Sequence, residues 1–130
     1  MITPAPQPTP ASPGNETIGQ IKHLVGDRPW GRLDVARGFA RRAFETIERG
    51  IKIPDDKRFE TVQSECLAAL ILEEHGQELQ MAVRHRDAAA TPAERDARQK
   101  GVMTAFYAMR NRVEGSIEAA IPPDPAKRQF

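Results

Sequence analysis

The sequence has a single cysteine, few aromatic residues and no long apolar run. Cys66 alone excludes a disulfide framework and a cysteine-rich zinc module. No apolar run approaches the roughly 18–20 residues that cross a bilayer, so we expect no membrane partner. The opening residues MITPAPQPTP lack the basic region and the apolar block of a secretory leader. These absences predict a cytoplasmic protein.

Net charge is also nearly absent, since 19 Lys and Arg oppose 18 Asp and Glu. A balance of +1 produces no large field that would attract nucleic acid. The arginine-rich stretch 33–49 resembles the recognition helix of a helix-turn-helix in its basic charge, but Asp34, Glu45 and Glu48 interleave its arginines. The sequence therefore disfavours a nucleic-acid partner, and any such role would rest mostly on non-specific phosphate contact.

The common catalytic, nucleotide-binding and metal-binding motifs are missing as well. The sequence contains no G-x-S-x-G, P-loop, G-x-G-x-x-G or H-E-x-x-H, nor the Glu-x-x-His of bundle di-metal sites. Glu74 and Glu78 have a spacing that could hold a cation, but His75 falls on an apolar stripe, where a core or interface histidine is commoner than a ligand. Cys66 lies among apolar residues, which predicts an unreactive thiol. We expect no enzyme, catalytic residue, metal or cofactor.

Proline is plentiful but unevenly placed. Five of the 11 prolines occur in the first 13 residues and three more between 122 and 125. Proline has no backbone donor, so neither segment can form a helix. The predicted organisation is a disordered Pro-rich arm (1–15), a helical domain (16–121) and a C-terminal tail (122–130). The arm favours extended polyproline-type chain, and its alternative interpretation is a docking tail for an aromatic-lined groove.

Four helices are predicted between these tails. Residues 17–25 place apolar side chains three and four apart and end at Gly26. Residues 33–49 form a second helix, which Gly50 is expected to end. Its apolar stripe consists of Leu33, Ala36, Phe39, Ala40, Ala43, Phe44 and Ile47.

The third helix is predicted over residues 57–88, after Asp55 and Asp56, whose charges suit a helix N-terminus. Its first half is apolar over a wide arc and must be covered on more than one side. Gly76 predicts a kink or a close helix contact in this helix, because glycine costs roughly 1 kcal/mol against alanine there.

The fourth helix has the clearest start. Thr91-Pro92-Ala93-Glu94 combines an N-cap threonine, proline at N1 and glutamate at N3, a capping box. Its apolar stripe consists of Val102, Ala105, Phe106, Met109, Val113 and Ile117. Because no run alternates with period two, the predicted fold is all-α. We expect a small helical bundle of two short and two long helices, with the long pair as a hairpin.

The charges are segregated along the chain. Residues 28–58 hold nine Lys and Arg against five acids, residues 59–83 hold five glutamates and no Lys or Arg, and residues 84–112 hold seven basic residues against three acids. The acidic helix either packs between two basic ones within one bundle or meets a basic face of a neighbouring subunit.

These features predict a non-enzymatic protein–protein interaction or assembly module, of the kind found among phage-type accessory or structural subunits and adaptors. Residues 59–72 are too apolar for a two-helix hairpin to cover alone, so the long hairpin is expected to self-associate into a homo-oligomer or to bind another protein. A compact monomer covered by the short helices is the alternative. The candidate association residues are Phe59, Val62, Leu67, Leu70, Ile71, Phe106 and Met109.

The competing hypothesis is a binder of a phosphate-bearing ligand, either a cyclic nucleotide or a nucleic acid, through the basic segment 28–58. Trp30 beside Arg28 and Arg32 is a combination that stacks on planar anionic ligands, although Trp30 could simply cover the core. The candidate ligand residues are Arg28, Trp30, Arg32, Arg37 and Arg41.

One segment, residues 32–54, resembles a known family. Arg32-Leu33-Asp34-Val35-Ala36-Arg37, Ala43-Phe44, Arg49-Gly50-Ile51 and Pro54 are similar to a helix of the phage anti-CBASS and anti-Thoeris sponge proteins, which sequester cyclic nucleotide signals. The resemblance implies helical oligomers with ligand pockets between subunits. It makes Arg37 and Trp30 the first residues to test.

Overall fold

Six α-helices follow one another in the computed structural model, which describes residues 15–52 and 58–123. They are α1 (Asn15–Val25), α2 (Arg32–Lys52), α3 (Arg58–Val62), α4 (Cys66–His75), α5 (Gln77–Asp87) and α6 (Pro92–Ala120). No strand occurs in the described segments, which confirms the all-α prediction there. The arm before residue 15, Asp55 and Asp56, and the tail beyond residue 123 lie outside the described residues.

The single helix predicted over residues 57–88 is wrong, because the structure divides it into α3, α4 and α5. The first break is a polar turn in which the Ser64 amide and hydroxyl both donate to the Thr61 carbonyl oxygen, at 3.0 and 2.6 Å. The second break is Gly76, whose added Cβ would lie 2.6 Å from the Leu72 carbonyl oxygen. The interruption expected at Gly76 is therefore present, and the hairpin of two continuous helices is not confirmed.

The core is built from the apolar stripes of the two longest helices, both of which the sequence predicted. On α2 the buried residues are Leu33, Ala36, Ala40, Ala43, Phe44, Ile47, Gly50 and Ile51. On α6 they are Val102, Phe106, Met109, Val113 and Ile117. These two helices pack against each other, α4 packs against α1, α2 and α6, and α5 packs mainly against α6. The apolar arc of residues 59–72 is thereby covered from several sides within the chain.

Gly50 does not end the second helix, because α2 continues to Lys52. Gly50 is buried, and a Cβ built on it would lie 2.9 Å from Val62 Cγ2 and 3.2 Å from Phe59 Cα. The residue is therefore explained by the close approach of α3 to α2, and the prediction of a glycine stop is wrong.

The capping prediction for α6 is confirmed at Thr91, whose hydroxyl oxygen accepts from the Glu94 amide at 3.1 Å. The reciprocal bond differs by one residue, since the Glu94 carboxylate accepts from the Ala90 amide at 3.1 Å. Two backbone donors at the start of α6 are thus satisfied.

The short helix α1 is fixed to the rest of the fold at its N-terminus by Glu74 of α4. The Glu74 carboxylate accepts from the amides of Glu16 and Thr17, where an acidic group also complements the helix dipole. Thr17 and Ile21 are completely buried beneath this contact. This attachment places the C-terminal end of α1 beside α2 and α4.

Candidate interaction surface

The turn between α1 and α2 presents the only tryptophan to solvent. Two glycines shape it, Gly26 with φ +70° and Gly31 with φ +72°, a backbone region that L side chains rarely adopt. The Gly26 amide donates to the Lys22 carbonyl oxygen at 3.0 Å, which closes α1. Trp30 remains 58% exposed on this turn, so it does not serve as a core residue.

Next to this turn lies a surface groove formed by two adjoining pockets of about 400 and 260 Å³. Both pockets include Phe39 and Arg42, so they adjoin each other at these two side chains. The residues that define it are Leu24, Arg28, Val35, Phe39, Arg42 and Leu67. We call this feature the α1–α2–α4 groove.

The groove combines apolar walls with charges of both signs. Leu24 is 38% exposed, and Phe39 and Leu67 are half-buried. The Arg42 guanidinium lies 5.8 Å from the centroid of the Phe39 ring, a cation–π distance. Glu65 lines the same groove, so an acidic group accompanies the arginine. Such a surface can bind an apolar side chain and pair with charges around it.

The structure exposes several groove residues that the sequence pattern predicts to be buried. The apolar spacing of residues 17–25 and 33–49 puts Leu24 and Phe39 on the apolar faces of their helices, but both lie at the edges of those faces, where no helix covers them completely. Cys66 was expected to be enclosed by apolar residues, but it is exposed on the groove, because α4 begins there after an open turn. The signal for the groove in the sequence is the width of the apolar stripe on the second predicted helix. A single neighbouring helix cannot cover a stripe of that width, so one edge stays open.

The five predicted ligand residues do not converge on one place. Arg28 lines the groove and Trp30 stands in the adjacent turn. Arg32 is half-buried, and its Nε is buried without a hydrogen-bond partner in the described part of the chain. Arg37 and Arg41 line a different pocket, between α2 and α6.

That α2–α6 pocket has a volume of about 270 Å³ and is strongly charged. Arg37 Nη2 bonds to Glu118 Oε1 at 2.7 Å, and Arg110 Nε bonds to Glu114 Oε1 at 3.1 Å. Arg41 makes no hydrogen bond or ion pair with any residue of the described segments. The pocket therefore offers one guanidinium that is not already neutralised.

Most of the predicted association residues belong to the chain's own core. Leu67 and Leu70 are half-buried, and Leu67 also lines the groove. The fully covered ones are Phe59, Val62, Ile71, Phe106 and Met109. Side chains covered in this way do not meet a second copy while the six helices keep their packing, so a contact between copies must use other residues.

The acidic and histidine cluster around residue 75 serves the fold. Glu74 binds the N-terminus of α1, whereas Glu78 lies exposed on the next helix. Burial lowers the pKa of His75 from 6.5, the negative charge of Glu74 opposes this, and Arg112 adds to it. Within residues 15–52 and 58–123, no three His, Cys, Asp or Glu side chains are grouped to hold a metal ion.

No family model, curated protein or solved structure matches this chain. None of the helices in the described segments is long and apolar enough to cross a membrane. The surface chemistry of the fold is therefore the basis for proposing a function.

Proposed function

We propose that this protein is a non-enzymatic interaction and assembly module that binds a second copy of itself through the α1–α2–α4 groove. The observation that carries the proposal is an open apolar groove that continues, through Arg28 in its lining, into the turn that exposes Trp30. The proposal keeps the self-association expected from the sequence and moves the interface away from the long hairpin, whose apolar residues are buried.

The exposed apolar residues supply the energy for such an interface. Tryptophan is enriched among the residues that dominate protein–protein binding, because it buries a large area with few rotatable bonds. Trp30 is 58% exposed and Leu24 38%, and Phe39 lines both pockets of the groove. Contiguous exposed apolar surface of this kind marks interaction sites.

The charges favour a second copy as the partner. In a two-fold interface the same patch occurs on both subunits, so the patch must complement itself. Two basic residues, Arg28 and Arg42, line the groove together with two acidic ones, Asp34 and Glu65. A basic group of one copy can then pair with an acidic group of the other, which a patch of one sign would prevent.

Sedimentation of the wild-type chain and of Trp30→Ala over a range of concentrations tests the proposal. We expect the wild type to exceed its monomer mass of 14.4 kDa as concentration rises. We expect Trp30→Ala to raise the dissociation constant at least about tenfold, as loss of a central aromatic contact does. Met81→Ala is the matched control, because Met81 is 60% exposed on α5, away from the groove. A wild-type monomer at every concentration contradicts the proposal.

The second candidate function is binding of a phosphate-bearing ligand in the α2–α6 pocket. It is favoured by the convergence of Arg37, Arg41 and Arg110 there, with Arg41 unpaired in the described segments. Guanidinium groups bind phosphate through paired, charge-assisted hydrogen bonds. Glu114 and Glu118 already neutralise two of the three, so the site would depend on Arg41.

Thermal unfolding with a cyclic dinucleotide as the probe tests this second candidate. We expect the melting temperature to rise by roughly several degrees when the probe saturates the pocket. Arg41→Ala should abolish the shift, whereas Arg49→Ala, an exposed arginine of the same helix, should leave it unchanged. An absence of any shift in the wild-type chain contradicts this candidate.

A further inference from the structure

We propose that the Pro-rich segment preceding α1 docks in the α1–α2–α4 groove of its own chain, with Pro4, Pro6 and Pro8 against the aromatic side chains, and there competes with the second copy. The segment would thereby regulate self-association at the groove. This inference rests on the proposed function, which makes the groove a docking surface. It is carried by the reach of the segment, its composition and the lining of the groove.

The segment is long enough to reach the groove. Helix α1 has 11 residues, which span about 16 Å at 1.5 Å per residue. The chain enters α1 at Asn15, and the groove begins beside Leu24 near the other end of that helix. In polyproline conformation, at about 3.1 Å per residue, residues 9–14 span roughly 19 Å. That distance brings Pro8 level with Leu24 and leaves the preceding residues for the groove.

The chemistry of the two surfaces also agrees. Aromatic-lined grooves bind proline-rich segments because the polyproline conformation is already formed and loses little entropy on docking. Phe39 lines the groove, and the exposed Trp30 follows the groove residue Arg28 by two positions, so one ring lies in the groove and a second is within two residues of its lining. Residues 1–14 contain no Asp, Glu, Lys or Arg side chain, so the segment brings no charged side chain of its own against the apolar walls.

Attachment to the same chain favours the intramolecular contact over binding to another molecule. A short tether gives the segment an effective concentration on the order of millimolar at the groove. At micromolar protein concentration, a weak contact between the segment and the groove therefore forms within one chain before it forms between two chains. The second copy must displace the segment, which makes self-association weaker than the groove alone would allow.

Quenching of Trp30 fluorescence by acrylamide tests the inference, because Trp30 is the only tryptophan. The variant is the full chain with Pro4→Ala, Pro6→Ala and Pro8→Ala, which leaves the sequence of every helix unchanged. We expect its Trp30 to be quenched about twofold more strongly than in the wild type at concentrations where both are monomeric. The control, with Pro123→Ala and Pro125→Ala, should match the wild type.

A peptide of residues 1–14 added to the triple variant provides the second measurement. It should restore the protection of Trp30 at roughly millimolar concentration, and the same peptide with alanine at positions 4, 6 and 8 should not. Equal quenching of the wild type and the triple variant overturns the inference, whatever their masses in solution.

Sedimentation of the same variants separates this inference from the proposed function. Stronger association of the triple variant than of the wild type supports both. If the triple variant shows stronger quenching but both chains remain monomeric at every concentration, the docked segment is supported and the proposed self-association is contradicted.

Discussion

The Arg86 guanidinium donates to the carbonyl oxygen of Ile51 at 2.7 Å, and Arg86 is only 1% exposed. The same carbonyl oxygen accepts from Gln99 Nε2 at 2.7 Å, and Arg86 also bonds to Gln99 Oε1 at 2.9 Å. Ile51 lies in the last turn of α2, where carbonyl groups have no partner within the helix. Arg86 and Gln99 therefore connect the end of α2 to α5 and α6.

We predict that Arg86→Met lowers the free energy of unfolding by about 2–4 kcal/mol. Methionine keeps much of the length of the side chain but removes the charged donor of this buried network. Leaving buried acceptors without that donor lowers stability more than breaking an exposed ion pair does. Urea unfolding followed by circular dichroism measures the change. Arg84→Met, at an exposed position of the same helix, should change the stability by less than about 0.5 kcal/mol. Equal effects of the two substitutions would contradict a structural role for Arg86.

Two glycine-to-alanine substitutions in helices should have opposite effects on stability. Gly50→Ala should destabilise the protein by about 1–3 kcal/mol, because its Cβ would lie 2.9 Å from Val62 Cγ2 and 3.2 Å from the Phe59 backbone. Gly115→Ala on α6 meets nothing within 4 Å and should stabilise by about 0.5–1 kcal/mol through helix propensity. Thermal or urea unfolding of both variants checks the pair. Stabilisation by Gly50→Ala would show that α3 does not approach α2 as described.

His75 should make the stability depend on pH in a defined direction. Burial lowers its pKa below 6.5 in the folded chain, so the unfolded chain takes up the proton first as the pH falls. The contribution of His75 to the free energy of unfolding is fully present above pH 6.5 and is lost as the pH falls through the folded-state pKa.

Replacement of His75 isolates this contribution. Between about pH 7.5 and about pH 5.5, His75→Gln should lose less stability than the wild type, because the replaced side chain does not titrate. His85→Gln, at an exposed position on α5, is the matched control and should keep the wild-type slope. Free energies of unfolding from urea titrations at several pH values provide the measurement. Identical slopes in the wild type and His75→Gln would refute the assignment.

Much of the fold could be predicted from local signals. The left-handed glycine after α1, the Thr91 cap and the buried stripe of α6 are all consequences of neighbouring residues in one helix. The third predicted helix failed because Gln63-Ser64-Glu65 has no strong breaker, and its turn is fixed by the packing of α3 against α2.

The candidate surface was less accessible to sequence reasoning. A helical period defines an apolar arc, but the neighbouring helices decide which edge of the arc remains open, as at Leu24 and Phe39. The sequence does contain a local signal for one buried charged residue. Arg86 continues the stripe of Leu79 and Val83 at helical spacing, which predicts a buried arginine with partners.

The sequence by itself determined that the chain is helical, where its longest apolar stripes lie and where α6 begins, since periodicity and capping act within a few residues. Only the tertiary structure decided where the middle helix breaks, which arginines share a pocket and which apolar side chains remain exposed. Those outcomes depend on contacts between residues far apart in the chain. Gly50 shows the difference, since its sequence context fits a helix end and the approach of Val62 makes it a buried contact.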